Sequence, residues 1–399
     1  MNKNQILWLT EPIEQAYIEA TNQLIINLAK HFRSGKEKDL FEWQARKLAE
    51  MGALRKESIE IIAAATGERE ELIRGTLRAA LGFDLEEVDN VLLKAAEAGV
   101  IRMPTETYLT SGRIQDLLNA MTQNAVDATN LVNTTMLQST LDAYQKALGR
   151  AVVEEMRLES TLEMSQHYLN SATLSVATGA ETRTEAVRYA IRAMAEEGIT
   201  GFIDAAGRHW APEGYVNMDV RTTVHNIAIQ GQRIRSEEAG VSTFQISSHA
   251  GARPLCEPYQ GKFYSWDGSS GVLHDLDGNA YHYEGIGMTS YGEPAGIFGI
   301  NCGHSPITFV DGFSLARYEP TEDKEENDRI YEISQKQRAL ERDVRKARTE
   351  ALALRAAGDK QGYNEALQRS LKKEERYNTF CEENDRTPRP DRLKIAKED

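Results

Sequence analysis

The stretch whose reading decides the fold opens FQISSHAGARPLCEPYQGKFYSW at residues 244–266 and closes YGEPAGIFGINCGHSP at residues 291–306. Two of the three cysteines, Cys256 and Cys302, fall inside residues 244–309, with four of the eight histidines, His249, His274, His282 and His304. The runs VSTFQIS (241–247), GKFYSW (261–266), AYHYEGI (280–286) and GIFGI (296–300) are short, aromatic or β-branched, and bounded by turn residues. That pattern predicts strands, with Asp277-Gly278-Asn279 as a hairpin turn. Immediately upstream, ITGFIDAAGRHW (199–210) reads as strand and turn. A helix follows from about Met218 to Glu238, with Val220, Val224, Ile227, Gly231 and Ile234 along one side. The expectation is a small antiparallel-sheet module with one long helix, over residues 199–318.

Helical patterning flanks this module. Ile13, Tyr17, Thr21, Leu24, Leu28 and Phe32 recur at steps of three and four, predicting a helix over residues 11–32. Pro12 suits its first turn, Thr10 its cap and Gly35 its end. Residues 40–51 and 58–65 read as short helices punctuated by Gly52 and Gly67, and Glu68 opens another with acid in its first turn. Residues 116–173 predict long helices. The polar run NLVNTTMLQST (130–140) predicts either a break or a hydrogen-bonded layer between helices, because Asn and Thr compete with the helix ladder. Ala186, Val187, Ala190, Ile191 and Met194 mark the buried face of a helix over residues 184–198, closed by Gly198.

Beyond the charged run EPTEDKEEND (319–328), Ile330, Ile333, Gln337, Leu340, Val344, Ala347, Ala351 and Leu354 form a heptad seam with one polar layer. At ~1.5 Å per residue this helix is roughly 45 Å long. AAGDKQG (356–362) breaks it, and Tyr363, Leu367, Leu371, Tyr377 and Phe380 make a returning stripe. RTPRPDR (386–392) predicts an extended polar tail. The fold class is α+β: a mostly helical region over 1–198, the sheet module over 199–318, and a helical hairpin or coiled coil over 319–399.

Composition limits the function classes. The 399 residues are 41% hydrophobic and 27% charged, with a formal net charge of −14. This acidity argues against a whole-protein electrostatic hold on DNA, which needs clustered Lys and Arg. Three cysteines do not make a disulfide framework and suit a reducing compartment. The first residues lack a secretory apolar core, and no run of 18 apolar residues occurs, so a soluble chain made in the cytoplasm is expected.

Several chemistries compete at the module. His249, Cys256, Cys302 and His304 are the right ligand types for a tetrahedral zinc site if the sheet brings the two ends together. Equally, the cysteines are small core thiols and the histidines bond backbone carbonyls. A Cys–His nucleophile would pair Cys256 or Cys302 with His249 or His304, but no protease signature surrounds either cysteine. The order Arg221, Ser247-Ser248, then Glu284 or Glu293 is that of an ADP-ribosyltransferase site. Arg253, stiffened by Pro254, reads as an anchor or as a clamp for Glu257 or Asp267. There is no Walker loop and no GxGxxG opening a helix.

Taken together, Asp204-Ala-Ala-Gly-Arg-His-Trp210, Met218-Asp-Val-Arg-Thr-Thr223, Ser247-Ser-His-Ala-Gly-Ala-Arg-Pro254, Tyr259-Gln-Gly-Lys262 and Tyr291-Gly-Glu-Pro-Ala-Gly-Ile-Phe-Gly-Ile-Asn-Cys-Gly-His304 resemble the phage minor capsid protein 2 family, relatives of the Mu-type minor head proteins. The resemblance is weakest over residues 35–115. In Mu-type relatives a cysteine pair stands where this chain has only Cys256. The resemblance implies a structural virion protein present in few copies, at the capsid interior or portal vertex, made in the bacterial host cytoplasm. It implies portal protein and other head proteins as partners and a role in head morphogenesis or early DNA delivery. It implies no settled catalytic activity; no catalytic residue is expected, and no cofactor apart from the zinc alternative read from the residues. The C-terminal helices are natural surfaces for portal or for self-association. The competing reading is an ADP-ribosyltransferase-like enzyme carried in the virion.

Overall fold

Apolar side chains at helical spacing bury one face of nearly every helix. The computed structural model describes residues 3–33, 39–67, 69–103, 106–168, 179–199, 201–205, 207–321 and 323–395. The order is α1 (Lys3–His31), α2 (Leu40–Ala49), α3 (Met51–Thr66), α4 (Arg69–Glu97), α5 (Gly112–Tyr168), α6 (Gly179–Glu197), β1 (Phe202–Ile203), β2 (His209–Trp210) and α7 (Pro212–Glu238). There follow β3 (Thr243–Ile246), β4 (Phe263–Ser265), β5 (Gly271–His274), β6 (Ala280–Gly285), β7 (Pro306–Thr308), α8 (Lys324–Ala356) and α9 (Lys360–Glu383). The chain divides into two compact units, each discontinuous in sequence. A sheet unit comprises residues 1–14, 68–129 and 216–335, and a helical unit comprises 15–67, 130–215 and 336–399. The sequence reading predicts consecutive domains divided at 198/199 and 318/319. The units interleave instead, because α1, α5, α7 and α8 each contribute residues to both.

In the helical unit, Leu24 and Leu28 of α1 and Phe32 just after it, Trp43 of α2, Leu54 of α3, Tyr144 and Leu148 of α5, and Ile191 and Met194 of α6 share one core. The stripes predicted for α1 and α6 are the faces that bury. A charged pair sits within this packing: the guanidinium of Arg183 donates to both carboxylate oxygens of Glu155 at 2.9–3.2 Å, with both residues buried. Arg183 also lies over the Trp43 ring, 5.5 Å from its centroid. An ion pair so enclosed survives because each group satisfies the other.

Several expectations are corrected. α1 begins at Lys3, with Pro12 inside it; one missing N–H costs the helix a single bond to the preceding turn. Thr10 is not a cap, since its hydroxyl donates back to the Ile6 carbonyl at 3.0 Å. The end predicted at Gly35 lies outside the described residues. Gly52 does not punctuate; it lies inside α3. The polar run 130–140 breaks nothing, because α5 is continuous. Thr134 and Thr140 donate to the carbonyls of Asn130 and Met136 four residues back, while Tyr17 donates to Asn133 across to α1. The extended tail is also corrected. Leu393 and Ile395 are buried, and Arg345 and Arg348 of α8 donate to the carbonyls of Arg392 and Leu393 at 2.6 and 2.8 Å. Gln337, expected as a polar layer, donates to the Thr387 carbonyl of this tail. Leu340 and Val344 of α8 meet Tyr377 and Cys381 of α9.

The five-stranded sheet of the sheet unit runs β5-β6-β4-β3-β7. It is mixed, not purely antiparallel: β4 and β6 are parallel, Tyr264 opposite Glu284, because the β5–β6 hairpin is folded back as a crossover. Phe244 and Ile246 of β3, with Tyr264, Trp266 and Ile229 of α7, bury one face. Phe263, Leu273 and Phe309 bury the other. The predicted strand 296–300 is a series of turns, whereas 271–274 and 306–308, unassigned in sequence, are strands.

Two predictions follow from this unit's packing. Gly261 has φ +71°, and a Cβ there would lie 2.4 Å from the Glu319–Pro320 backbone. Backbone does not yield as a flexible side chain does, so Gly261→Ala will lower stability by about 2–4 kcal/mol, read from urea midpoints. Asp219 of α7 has a buried Oδ2 with no hydrogen-bond partner among the described residues. Burial raises its carboxyl to about 6, against about 3.9 in the unfolded chain. Between those values the folded chain holds more protons than the unfolded one, so stability falls as pH rises, and the loss is complete above about 6. Asp219→Asn will therefore be more stable than the parent by about 1–2 kcal/mol at neutral pH and indistinguishable near pH 4, measured by denaturant titration at each pH.

Candidate metal centre

The antiparallel pairing of β3 with β7 brings His249 and His304 together. Ile246 stands opposite Pro306, so the residue three beyond Ile246 and the residue two before Pro306 emerge side by side. Their rings stack with centroids 4.4 Å apart and planes at 25°. Gly303 accommodates this: a Cβ on it would sit 3.1 Å from His249 Nε2.

Two loops deliver the thiols. After β3 the chain runs over the first turns of α8, where Asn327 accepts from the Ala252 N–H at 2.8 Å and donates to the Ala252 carbonyl at 2.9 Å. Gly251, at φ +69°, permits the approach, because a Cβ there would meet Ile330 Cγ2 at 2.8 Å. The turn that follows carries Cys256 and a short 3-10 helix, Glu257–Tyr259. The second loop, 286–305, has almost no regular ladder and folds by successive turns. A Cβ on Gly296 would lie 1.9 Å from the Ser290 carbonyl oxygen. Phe298 and Asn301 hold positive φ of 61° and 55°, with Phe298 buried against Phe244 and Trp266. Arg253 joins the loops, donating to the carbonyls of Ala295 and Ile300 at 3.2 and 2.5 Å. It clamps backbone rather than Glu257 or Asp267, the partners expected from sequence.

Cys256 Sγ and Cys302 Sγ are 3.9 Å apart, and Cys302 Sγ is 3.3 Å from His304 Nδ1. All three residues are buried, and their donor atoms lie within 4.8 Å of one another. His249, the fourth predicted ligand, lies outside this group, stacked on His304. The hydrogen bond from Cys256 depresses the Cys302 thiol, with help from the His304 imidazole; the same bond and burial push the Cys256 thiol up.

Gln260, which the sequence reading passed over, sets the histidine. Its Oε1 accepts the His249 backbone N–H at 2.7 Å and faces His304 Nε2 at 2.8 Å. A backbone N–H only donates, so this amide atom is the oxygen, and His304 Nε2 must carry the proton. In neutral His304 the lone pair is then on Nδ1, facing sulfur. His225 of α7 was also passed over. It is fully buried, which lowers its pKa; its ring bonds the His304 backbone, and its Nε2 has no hydrogen-bond partner among the described residues. It stands among the buried apolar residues Val224, Ile227 and Ala228 of the same helix, and no motif in the sequence singles it out.

The residues of the ADP-ribosyltransferase reading are engaged separately. Arg221 donates to Glu14 at 2.6 Å. Ser247 Oγ accepts the Ser305 N–H, and Ser248 donates to the Glu319 carbonyl. Glu284 on β6 and Glu293 in the turns are exposed. Cys302 and His304 are as close as an activated thiol and its base, but an accessible sulfur is needed for that chemistry and both residues are buried.

Fold and cluster together define a largely helical α+β protein whose small mixed sheet carries a buried Cys/Cys/His group. The chain belongs to the phage minor capsid protein 2 family, whose model matches residues 1–382. It is 29% identical over 323 residues to a "Structural protein" of Lactococcus phage LL-H, covering 78% of this chain and 77% of the relative. A second relative, a "Structural protein" of Lactococcus phage mv4, is 42% identical over 69 residues, 17% of this chain and 55% of the relative. No solved structure matches. The chain is thus a structural phage protein related to minor capsid proteins. No helix among the described residues is long and apolar enough to cross a membrane.

Gln260→Leu will remove the acceptor from both His249 N–H and His304 Nε2–H. The expected loss is about 2–4 kcal/mol in chemical denaturation, because a buried donor left unmatched carries its full desolvation cost. Gln260→Glu, which keeps an acceptor, will lose less.

Proposed function

We propose that this protein is a portal-associated minor head protein of a tailed phage, acting in head morphogenesis or early DNA delivery, as a structural component and not as an enzyme. The observation that carries the reading is family membership over residues 1–382, supported by a relative of similar extent named as a structural protein. The acidic balance, −14 overall, favours protein partners over a general hold on DNA. The α8–α9 pair, as a helical hairpin with coiled-coil character, is the element best suited to dock portal. Leu371 of α9 is half exposed on it, with Lys372, Lys373 and Glu374 as exposed or half-exposed neighbours.

Co-expression of the full chain with the portal protein of the same phage, followed by affinity capture, tests this directly. A complex that withstands size-exclusion chromatography is expected, together with a few copies of the chain per purified head. Absence of both would overturn the reading. Incubation with labelled NAD and host lysate is expected to give no transfer; transfer abolished by Arg221→Ala or Glu284→Ala would replace it with the enzymatic one.

A further inference from the structure

We propose that Cys256, Cys302 and His304 bind a zinc ion, with two thiolates and the Nδ1 of one imidazole as ligands. The inference stands on geometry and does not depend on portal binding.

The spacing fits the ion. A tetrahedral zinc about 2.3 Å from sulfur and about 2.0–2.1 Å from nitrogen sets its sulfurs about 3.8 Å apart and sulfur from nitrogen about 3.6 Å. The corresponding separations here are 3.9 Å between Cys256 and Cys302, and 3.3 Å between Cys302 and His304. A disulfide would require the sulfurs to close to about 2.05 Å. The tautomer fits as well. Gln260 holds the Nε2 proton and leaves the Nδ1 lone pair towards the thiols, the outer-shell hydrogen bond that ligating histidines use to fix ring and proton.

Charge and surroundings agree. Binding exchanges two thiol protons for one divalent cation, so the dithiolate site with zinc is neutral. Neutrality matters because Phe244, Trp266, Ile297 and Phe298 share a core with both cysteines, and an unpaired charge there would be costly. The ion would join two loops that otherwise lack a sheet ladder, one carrying Cys256 and the other Cys302. His249 stacks on the ring of the His304 ligand.

The test uses full-length protein, expressed with zinc in the medium and purified without chelator. Elemental analysis is expected to give about one zinc per chain, reduced at least several-fold in Cys256→Ser and Cys302→Ser and retained in Cys381→Ser. Because the serine variants risk misfolding, the parent protein is also stripped and reloaded with Co²⁺. An intense thiolate-to-cobalt charge-transfer band, displaced stoichiometrically by zinc, is expected. Less than about half an equivalent of zinc with no such band, or a Cys256–Cys302 disulfide in freshly purified protein, would overturn the proposal.

Discussion

One side-chain amide organises the centre of the sheet unit. Gln260 Oε1 takes the His249 backbone N–H and the His304 ring N–H together, and its Nε2 donates to Thr321. Each bond removes a freedom from the next. The backbone donor fixes which end of the amide is oxygen, the oxygen fixes the tautomer, and the tautomer fixes which nitrogen meets the Cys302 sulfur. The amide itself is held from behind. Gly261, immediately after it, is packed against the Glu319–Pro320 backbone, and Gln245 of β3 donates to the Gly261 carbonyl at 2.9 Å and to the Tyr318 carbonyl at 2.7 Å. The same bonds tie the 318–321 segment to the residues that hold His304.

The loop that delivers Cys302 shows why such cross-links are needed. A strand gives each residue two ladder bonds, whereas residues 290–302 satisfy their backbone by local turns, by Ser290 Oγ, and by the guanidinium of Arg253. Two non-glycine residues at positive φ add strain of order 1–3 kcal/mol each, which persists only where the surroundings over-determine the conformation. Phe298 is over-determined by its burial between Phe244, Trp266 and Tyr291. Asn301 lies between the Ile300 carbonyl held by Arg253 and the sulfur of Cys302. Side chains thus supply the order that a sheet would have supplied through its backbone.

The sequence was legible where one period governs burial. The α1 and α6 stripes, the α8 seam from Leu340 to Leu354, and the Asp277–Asn279 turn required only helical or two-residue spacing to be read. It was illegible where long-range partners decide. GIFGI has strand composition, yet Gly296 and Gly299 are packed so closely against backbone that the segment turns instead of extending. The β4–β6 pairing is parallel because of how a hairpin folds back, a fact of topology and not of either strand. Arg183 was invisible as a buried ion-pair partner because Glu155 lies 28 residues away on another helix. At the centre itself, the cysteines and histidines could be found by type. Gln260 and Asn327 could not, since an amide looks the same on a surface as it does holding a loop.

Residue type alone also misjudges the thiols, as the third cysteine makes clear. Cys381 is as buried as the other two, but its neighbours are Tyr377, Leu340 and Val344, with the Gln337 amide donating to its sulfur at 3.6 Å. There the thiol is a small apolar group and a weak acceptor, and among the described residues it belongs to no group of potential metal ligands. Cys256 and Cys302 sit in a comparably apolar cluster. What separates them from Cys381 is an imidazole whose proton is committed on its far side. Burial puts all three sulfurs in the interior; only the hydrogen-bond chain from the His249 backbone through Gln260 to His304 turns two of them into prospective ligands.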